Sequence, residues 1–411
     1  MNTVKSPRKT TRSIWLRRIG TPRSATLLAT FMMMLALAGA TAQDASDGLV
    51  DQFRAGDADT KVMILRQIAD DPATEVAPVY AAALDYALSN LDQIGSDAQF
   101  RALALDAVTR LGQAGHSAAV EDLWRLFVAY PDNTVRIATL ETLAQLGRGD
   151  AATSTAINEW LLTQNSVPGA TVDRQVVIAA VDAAVELGDP SSFEALIDTA
   201  LARHSRRVSE LAAVGIGAIA TDAPDTAIGV VLDATPAEMV ERLEFVLALE
   251  ELDLSTRAEV ASAALAEATR TITPDAADRA VLRRARSLAA GFLADAEYSQ
   301  ATPSVVAHFN RTVAEYGSGT VTRAALIEAI RAVGAMGTDA AAVRLSRYLD
   351  LANTYTEYER PFDTRLVLET LAALDRIGSE EAHDDIYYVT LLDYPDVVID
   401  AARDALLDLS R

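Results

Sequence analysis

The sequence predicts an all-α fold, a solenoid of antiparallel helix pairs. Three observations carry that prediction. An apolar stripe recurs at fixed offsets before glycines, the glycines are spaced to leave room for two helices, and no run alternates apolar and polar residues as a half-buried strand would. The reference stretch runs from Pro131 to Gly147. Pro131 and a capping Asp132 open a helix, Leu140, Leu143 and Leu146 share one face, and Gly147 is expected to close it in the left-handed conformation.

The seventh, fourth and first positions before six glycines repeat the stripe. Gly95 gives Leu88, Leu91, Ile94; Gly112 gives Leu105, Val108, Leu111; Gly147 gives Leu140, Leu143, Leu146. Gly188 gives Val181, Ala184, Leu187; Gly334 gives Ile327, Ile330, Val333; Gly378 gives Leu371, Leu374, Ile377. The intervals Gly112 to Gly147, Gly147 to Gly188 and Gly334 to Gly378 are 35, 41 and 44 residues. Partner helices are predicted between them at Ala119 to Tyr130, Ala151 to Gln164, Ser191 to His204, Asp339 to Leu351 and Glu380 to Tyr394. Tyr130, Pro131, Asp132 recurs as Tyr394, Pro395, Asp396, and proline at that place ends one helix and suits the start of the next.

Residues 1–42 read as a targeting segment. Seven basic residues precede Ala25, an apolar run follows, and Ala40, Thr41, Ala42 supplies a small-x-small cleavage site. An uncleaved anchor is the alternative, since the run from Ser24 to Ala42 is about long enough to span a bilayer. Residues 43–221 form the first set of repeats, 222–318 a less regular helical middle, and 319–411 a closing set ending in a charged helix from Val397 to Arg411. In the middle, helices are predicted at Pro236 to Leu252, Ser255 to Thr271, Pro274 to Ala296 and Pro303 to Tyr316.

Composition narrows function. The chain of 411 residues carries a net charge of -22, and without the seven basic residues of the leader the balance falls to -29. Such a field repels phosphate backbones and anionic lipid, which argues against a nucleic-acid or membrane-surface role. The chain has no cysteine, so disulfides, thiolate metal sites and cysteine nucleophiles are excluded. Lysine stands only at Lys5, Lys9 and Lys61.

Several residues point to a family. Asp132, Val135, Arg136, Ala138, Leu143 and Gly147, with Asp97, Phe100, Arg101, Leu105 and Gly112, resemble the second helix of HEAT-repeat proteins, and the turn Leu187, Gly188, Asp189, Pro190 resembles their interrepeat turn. The resemblance covers residues 97–221 and 319–411 well and the middle only by helical pattern. It implies a right-handed α–α superhelix serving as an interaction scaffold, with no catalytic motif to carry over.

Chemistry-bearing clusters are sparse. His116, His204, His308 and His383 stand in unlike contexts, and only His383 has carboxylates close by in sequence, Glu380, Glu381, Asp384 and Asp385. Asp57 and Asp59 near Gly56 lack the rest of a calcium loop. Arg101, Arg136 and Arg323 are expected to pair across repeats with Asp106, Glu141, Asp182 or Glu328, the alternative being a charged ligand groove. Arg279, Arg283, Arg284 and Arg286 form a basic helix face that is expected to neutralise neighbouring carboxylates. Gly215 and Gly217 sit where helices would pack closely. Six tyrosines crowd the end of the chain around a connection read as running from Asn353 to Pro361. The candidate partner-binding residues are Tyr348, Tyr355, Tyr358, Phe362, Tyr387 and Tyr388. The expected function is a non-enzymatic scaffold, exported to the periplasm or cell envelope, that binds a protein partner without cofactor or metal. The alternatives are a ligand-binding or enzymatic protein with its site in the middle, and a self-assembling homo-oligomer.

Overall fold

The computed structural model describes residues 42–93, 97–167, 173–220, 223–360 and 362–409. The leader, Ile94 and Gly95 of the first stripe, and Pro361 lie outside the described residues. Every regular element described is helical. The α-helices are α1 (Ala42–Ala55), α2 (Ala58–Gln67), α3 (Ala73–Ser89), α4 (Ala98–Gln113), α5 (Val120–Ala129), α6 (Asn133–Leu146), α7 (Ala151–Asn165), α8 (Arg174–Leu187), α9 (Ser192–Leu201) and α10 (Arg206–Ala220). They continue with α11 (Pro224–Leu232), α12 (Pro236–Ala248), α13 (Leu254–Arg270), α14 (Ala276–Asp295), α15 (Thr302–Gly317), α16 (Arg323–Ala335), α17 (Asp339–Glu357), α18 (Thr364–Ile377), α19 (His383–Val389) and α20 (Asp396–Leu409). No helix among the described residues is long and apolar enough to cross a membrane.

Two compact units result, one up to His116 and one from Ser117 onward. In the first, α1 packs on α3, α2 on α4 and α3 on α4. Lys61 is buried there, donating from Nζ to the carbonyls of Arg54 and Gly56 behind α1 and standing 4.7 Å from the ring centre of Tyr86. Burial pushes its proton affinity down. In the second unit odd and even helices form two layers. α7, α9, α11, α13, α15, α17 and α19 each pack on the next of that series; α6, α8 and α10 do likewise, as do α12, α14, α16, α18 and α20. Through residues 222–318 the odd layer is continuous and the even layer resumes at α12; the short α11 is followed by the longer α13, α14 and α15.

Local chemistry explains the element starts. Asp132, Asp150, Asp173, Asp253, Asp275 and Asp363 cap their helices through carboxylates that accept backbone N–H groups, and Thr235 with Glu238 forms a reciprocal capping box. Asp57 belongs to the same class, accepting from Thr60 N at 2.9 Å as the cap of α2. Helix ends depart from expectation. Gly188 and Gly378 take the left-handed conformation at φ 65 and 67, but Gly147 has φ -87. Gly112 and Gly334 lie within helices, and the left-handed turns fall three residues later at Gly115 and Gly337. Gly334 is small for packing: a Cβ there would stand 2.8 Å from the Cβ of Ala373 in α18.

The stripes are core, with Leu140, Leu143, Val181, Ala184, Ile330, Val333, Leu371 and Leu374 buried and the last-turn Leu146, Leu187 and Ile377 only partly so. Polar rungs repeat at the period of the array. Asn165 bonds Thr199 at 3.1 Å and His204 at 2.8 Å, Thr302 meets Thr338 at 3.2 Å, and Ser379 donates to Asp339 at 2.7 Å. On the even layer Arg148 pairs with Glu186 at 2.7 Å, Arg284 with Glu244, Arg323 with Asp363 at 3.1 Å and Arg331 with Glu369 at 2.8 Å. Arg136 does something else. Its Nε donates to the Phe127 carbonyl at 3.0 Å, satisfying the end of α5, while its guanidinium lies over the Phe127 ring.

Candidate functional site

Two places depart from repeat packing. The first is the end of the chain. The stretch from Asn353 to Glu357, read from sequence as loop, completes α17, and the connection proper begins at Tyr358. Tyr348 is a correction to the candidate set. It is 4% exposed and packs edge-on between Phe309 at 5.4 Å and Phe362 at 5.9 Å, so it is core rather than contact surface. Phe362 is half-buried and also meets Tyr355 at 5.9 Å. Tyr355, Tyr358, Tyr387 and Tyr388 are exposed, Tyr358 at 69%, and Leu351, Leu391, Val397 and Leu407 join them as exposed apolar side chains. Leu351 and Tyr355 fall on one face of α17 at an offset of four, and Tyr358 follows as its C-cap. The Glu357 carboxylate beside Tyr388 raises the proton affinity of that phenol. From Glu380 to Leu409 the chain carries nine carboxylates and one arginine, Arg403. The apolar groups therefore sit in a negative field. His383 stacks on Tyr387 at 6.4 Å and bonds Asp384 at 3.2 Å. Among the described residues no three His, Asp or Glu side chains converge as a metal site would require.

The second place is a cleft of about 330 Å3 between α14, α15 and α16. The buried stripe of α14 reads Leu282, Ala285, Arg286, Ala289, Ala290, Leu293, so alanines and one arginine stand where larger apolar residues would fill the space toward α16. Across it, α16 offers Ala325 and Ala332. Methyl groups cannot close an interhelical gap that leucines would, and the gap persists.

Arg286 is 2% exposed. Its Nη2 donates to both oxygens of Glu315, at 2.9 and 2.6 Å, and Arg311 Nε donates to the same carboxylate at 3.0 Å. Burial alone would raise the Glu315 carboxyl, but the two guanidinium groups outweigh it and hold the carboxyl below its ordinary range. Among the described residues Arg286 Nε and Nη1 have no hydrogen-bond partner, and neither has Nδ1 of His308, which is 7% exposed. Burial, with the neighbouring Arg286 charge, drives the His308 pKa down to about 4, so its ring is neutral near pH 7. At the mouth stand Arg283, Asp295, Glu328 and Arg331. A shallower hollow of about 460 Å3 shares Glu328 and Arg331 and adds Arg323 and Arg365.

Of the arginines read as one basic face, the structure sends each elsewhere. Arg279 binds the carbonyls of Thr273 and Pro274, Arg284 pairs outward with Glu244, Arg283 reaches the cleft mouth and Arg286 turns into the core. Sequence reasoning named Arg286 but not its depth. The available signal was its position on an alanine stripe. His308 carried no signal, because only folding brings it beside Arg286.

The fold and these sites define an all-α protein of stacked antiparallel helix pairs. No protein-family model matches the chain, and no curated protein is similar to it. Among solved structures, one described as "Computational Design of Self-Assembling Cyclic Protein Homooligomers" aligns over 75% of this chain and 94% of its own, at 15% identity and a TM-score of 0.13. At that TM-score the fold rests on the helix packing described above.

Proposed function

We propose that the chain is a non-enzymatic protein-interaction scaffold of HEAT-like type, exported to the cell envelope, whose partner docks on the α17 to α20 end. The observation that supports the reading is the gathering of exposed Leu351, Tyr355, Tyr358, Tyr387, Tyr388 and Leu391 on consecutive helix pairs. Contiguous apolar surface ringed by charge marks protein contact sites, and aromatic side chains with polar tips are favoured there. The surrounding carboxylates select the partner's chemistry. A cationic segment carrying apolar residues would gain both burial and attraction, with tyrosine faces available to its ammonium or guanidinium groups.

Crosslinking in intact cells followed by mass spectrometry should place partner peptides on α17 to α20. Changing Tyr358, Tyr387 and Leu391 together to alanine should reduce partner recovery at least tenfold without lowering the melting temperature. Undiminished recovery would remove the docking site from this end. A single species at twice the chain mass in size-exclusion chromatography, lost in the same variant, would instead identify the partner as a second copy.

A further inference from the structure

We propose that the cleft between α14, α15 and α16 binds a small organic acid, with its carboxylate held by Arg286 and its short hydrocarbon body against the alanines of α14 and α16. The site is built from residues other than the aromatic surface, and the proposal does not rest on the scaffold reading.

Three independent observations lead to it. The first is the guanidinium. Arg286 is buried, and Glu315 occupies only its Nη2, leaving Nε–H and Nη1–H without acceptors among the described residues. Buried donors of a charged group left unmade are costly, and an anionic acceptor answers that cost best. His308 Nδ1 adds a neutral hydrogen-bonding atom at the same depth.

The second is the space. About 330 Å3 accommodates a molecule of a few heavy atoms and lies at the small end of ligand pockets. The third is Gly291, which lies within α14 and lines the cleft. It is not left-handed, and a Cβ there would meet nothing within 4 Å. Backbone conformation and close packing, the usual needs for glycine, are both absent. What its missing side chain provides is room, at a cost in helix propensity relative to alanine.

The charges choose among anions. Glu315, Glu328 and Asp295 stand around the cleft with Arg283, Arg286 and Arg331, so the lining is balanced in sign. A monoanion is opposed less than a phosphate dianion would be in a cleft lined by three carboxylates and in a chain already at -22. Ala290, Ala294, Ala325 and Ala332 present methyl groups, which suit a hydrocarbon body.

The test uses the purified full chain with butyrate, inorganic phosphate and butylamine as probes, followed by calorimetry and thermal melting. Butyrate is expected to bind saturably below about 10 mM and to raise the melting temperature. Gly291→Leu and Ala325→Leu, which leave the Arg286–Glu315 pair intact, should fold and weaken butyrate binding at least tenfold. Arg286→Met should abolish it, and because that variant also leaves Glu315 with Arg311 as its remaining guanidinium partner, the two filling variants decide the matter if it fails to fold. The proposal is overturned if butyrate shows no saturable binding, if phosphate or butylamine binds in its place, or if both filling variants bind butyrate as the parent does.

Discussion

Arg286 with Glu315 and Arg331 with Glu369 are the same chemical pair with the carboxylates alike in burial and the guanidinium groups at opposite depths. Arg331 donates from Nε and Nη2 to the two Glu369 oxygens at 2.8 Å each, with its side chain 59% exposed. Arg286 donates from a single nitrogen while almost fully buried. Water reaches the Arg331 guanidinium, so the energetic value of the outer pair is small and its use is to keep α16 and α18 in register. Water does not reach the Arg286 guanidinium, which has Glu315 as its anionic partner among the described residues. The inner pair also leaves donors unmatched, which is what separates a rung from a site.

That contrast can be broken from its strongest side first. Glu315→Gln should destabilise the second unit by about 3–5 kcal/mol, because it strands a buried guanidinium, and urea denaturation would show this directly. The double variant Arg286→Met with Glu315→Leu should recover most of that loss. A double variant no more stable than Glu315→Gln would mean that the cost lay in side-chain shape rather than charge.

A pH series sharpens the comparison next. The His308 pKa of about 4 lies below its ordinary 6.5, so the unfolded chain takes up this proton first as pH falls. Stability from the neutral ring is fully present above pH 6.5, is lost through the window down to about 4 and is level below it. The whole span is worth about 3 kcal/mol. His204 is shifted in the same direction and Glu315 adds a loss only at the acid end, so the measurement is the difference between the parent and His308→Gln. Parallel denaturation midpoints for the two proteins between pH 7 and about 4.5 would refute the assignment. The smallest effect belongs to the outer pair. Arg331→Ala should cost about 1 kcal/mol or less, and a larger loss would show that this rung carries more than alignment.

Much of the fold was legible in the sequence because one apolar stripe and one capping aspartate recur at nearly constant offsets. Leu140, Leu143, Ile330 and Leu374 are core for the reason the periodicity implies. The glycines were less transparent. Gly188 and Gly378 close helices, whereas Gly334 sits inside one to admit Ala373, and a sequence position looks the same in either case. The run from Asn353 to Glu357 looks like loop from its polarity, yet Asn353 is buried, donating to the Asp385 carbonyl at 3.1 Å and accepting from Tyr394, and this draws α17 onward. The cleft was hidden because it belongs to no single helix. Arg286 and Gly291 come from α14, His308 and Glu315 from α15, and only their meeting makes a cavity with unmatched donors.

The two-layer alternation of the second unit also bears on how the chain reaches its folded state. Most helices rest on a sequence neighbour, on the helix after that, or on both, so the contacts that form the core close loops of modest length. Short loops cost little entropy, and no long-range pairing has to be found before the first stable contacts appear. Any adjacent trio, α14 to α16 or α17 to α19, offers a nucleus from which order spreads along the array. Folding should therefore be fast, and severing the chain between pairs should shorten this unit rather than abolish it.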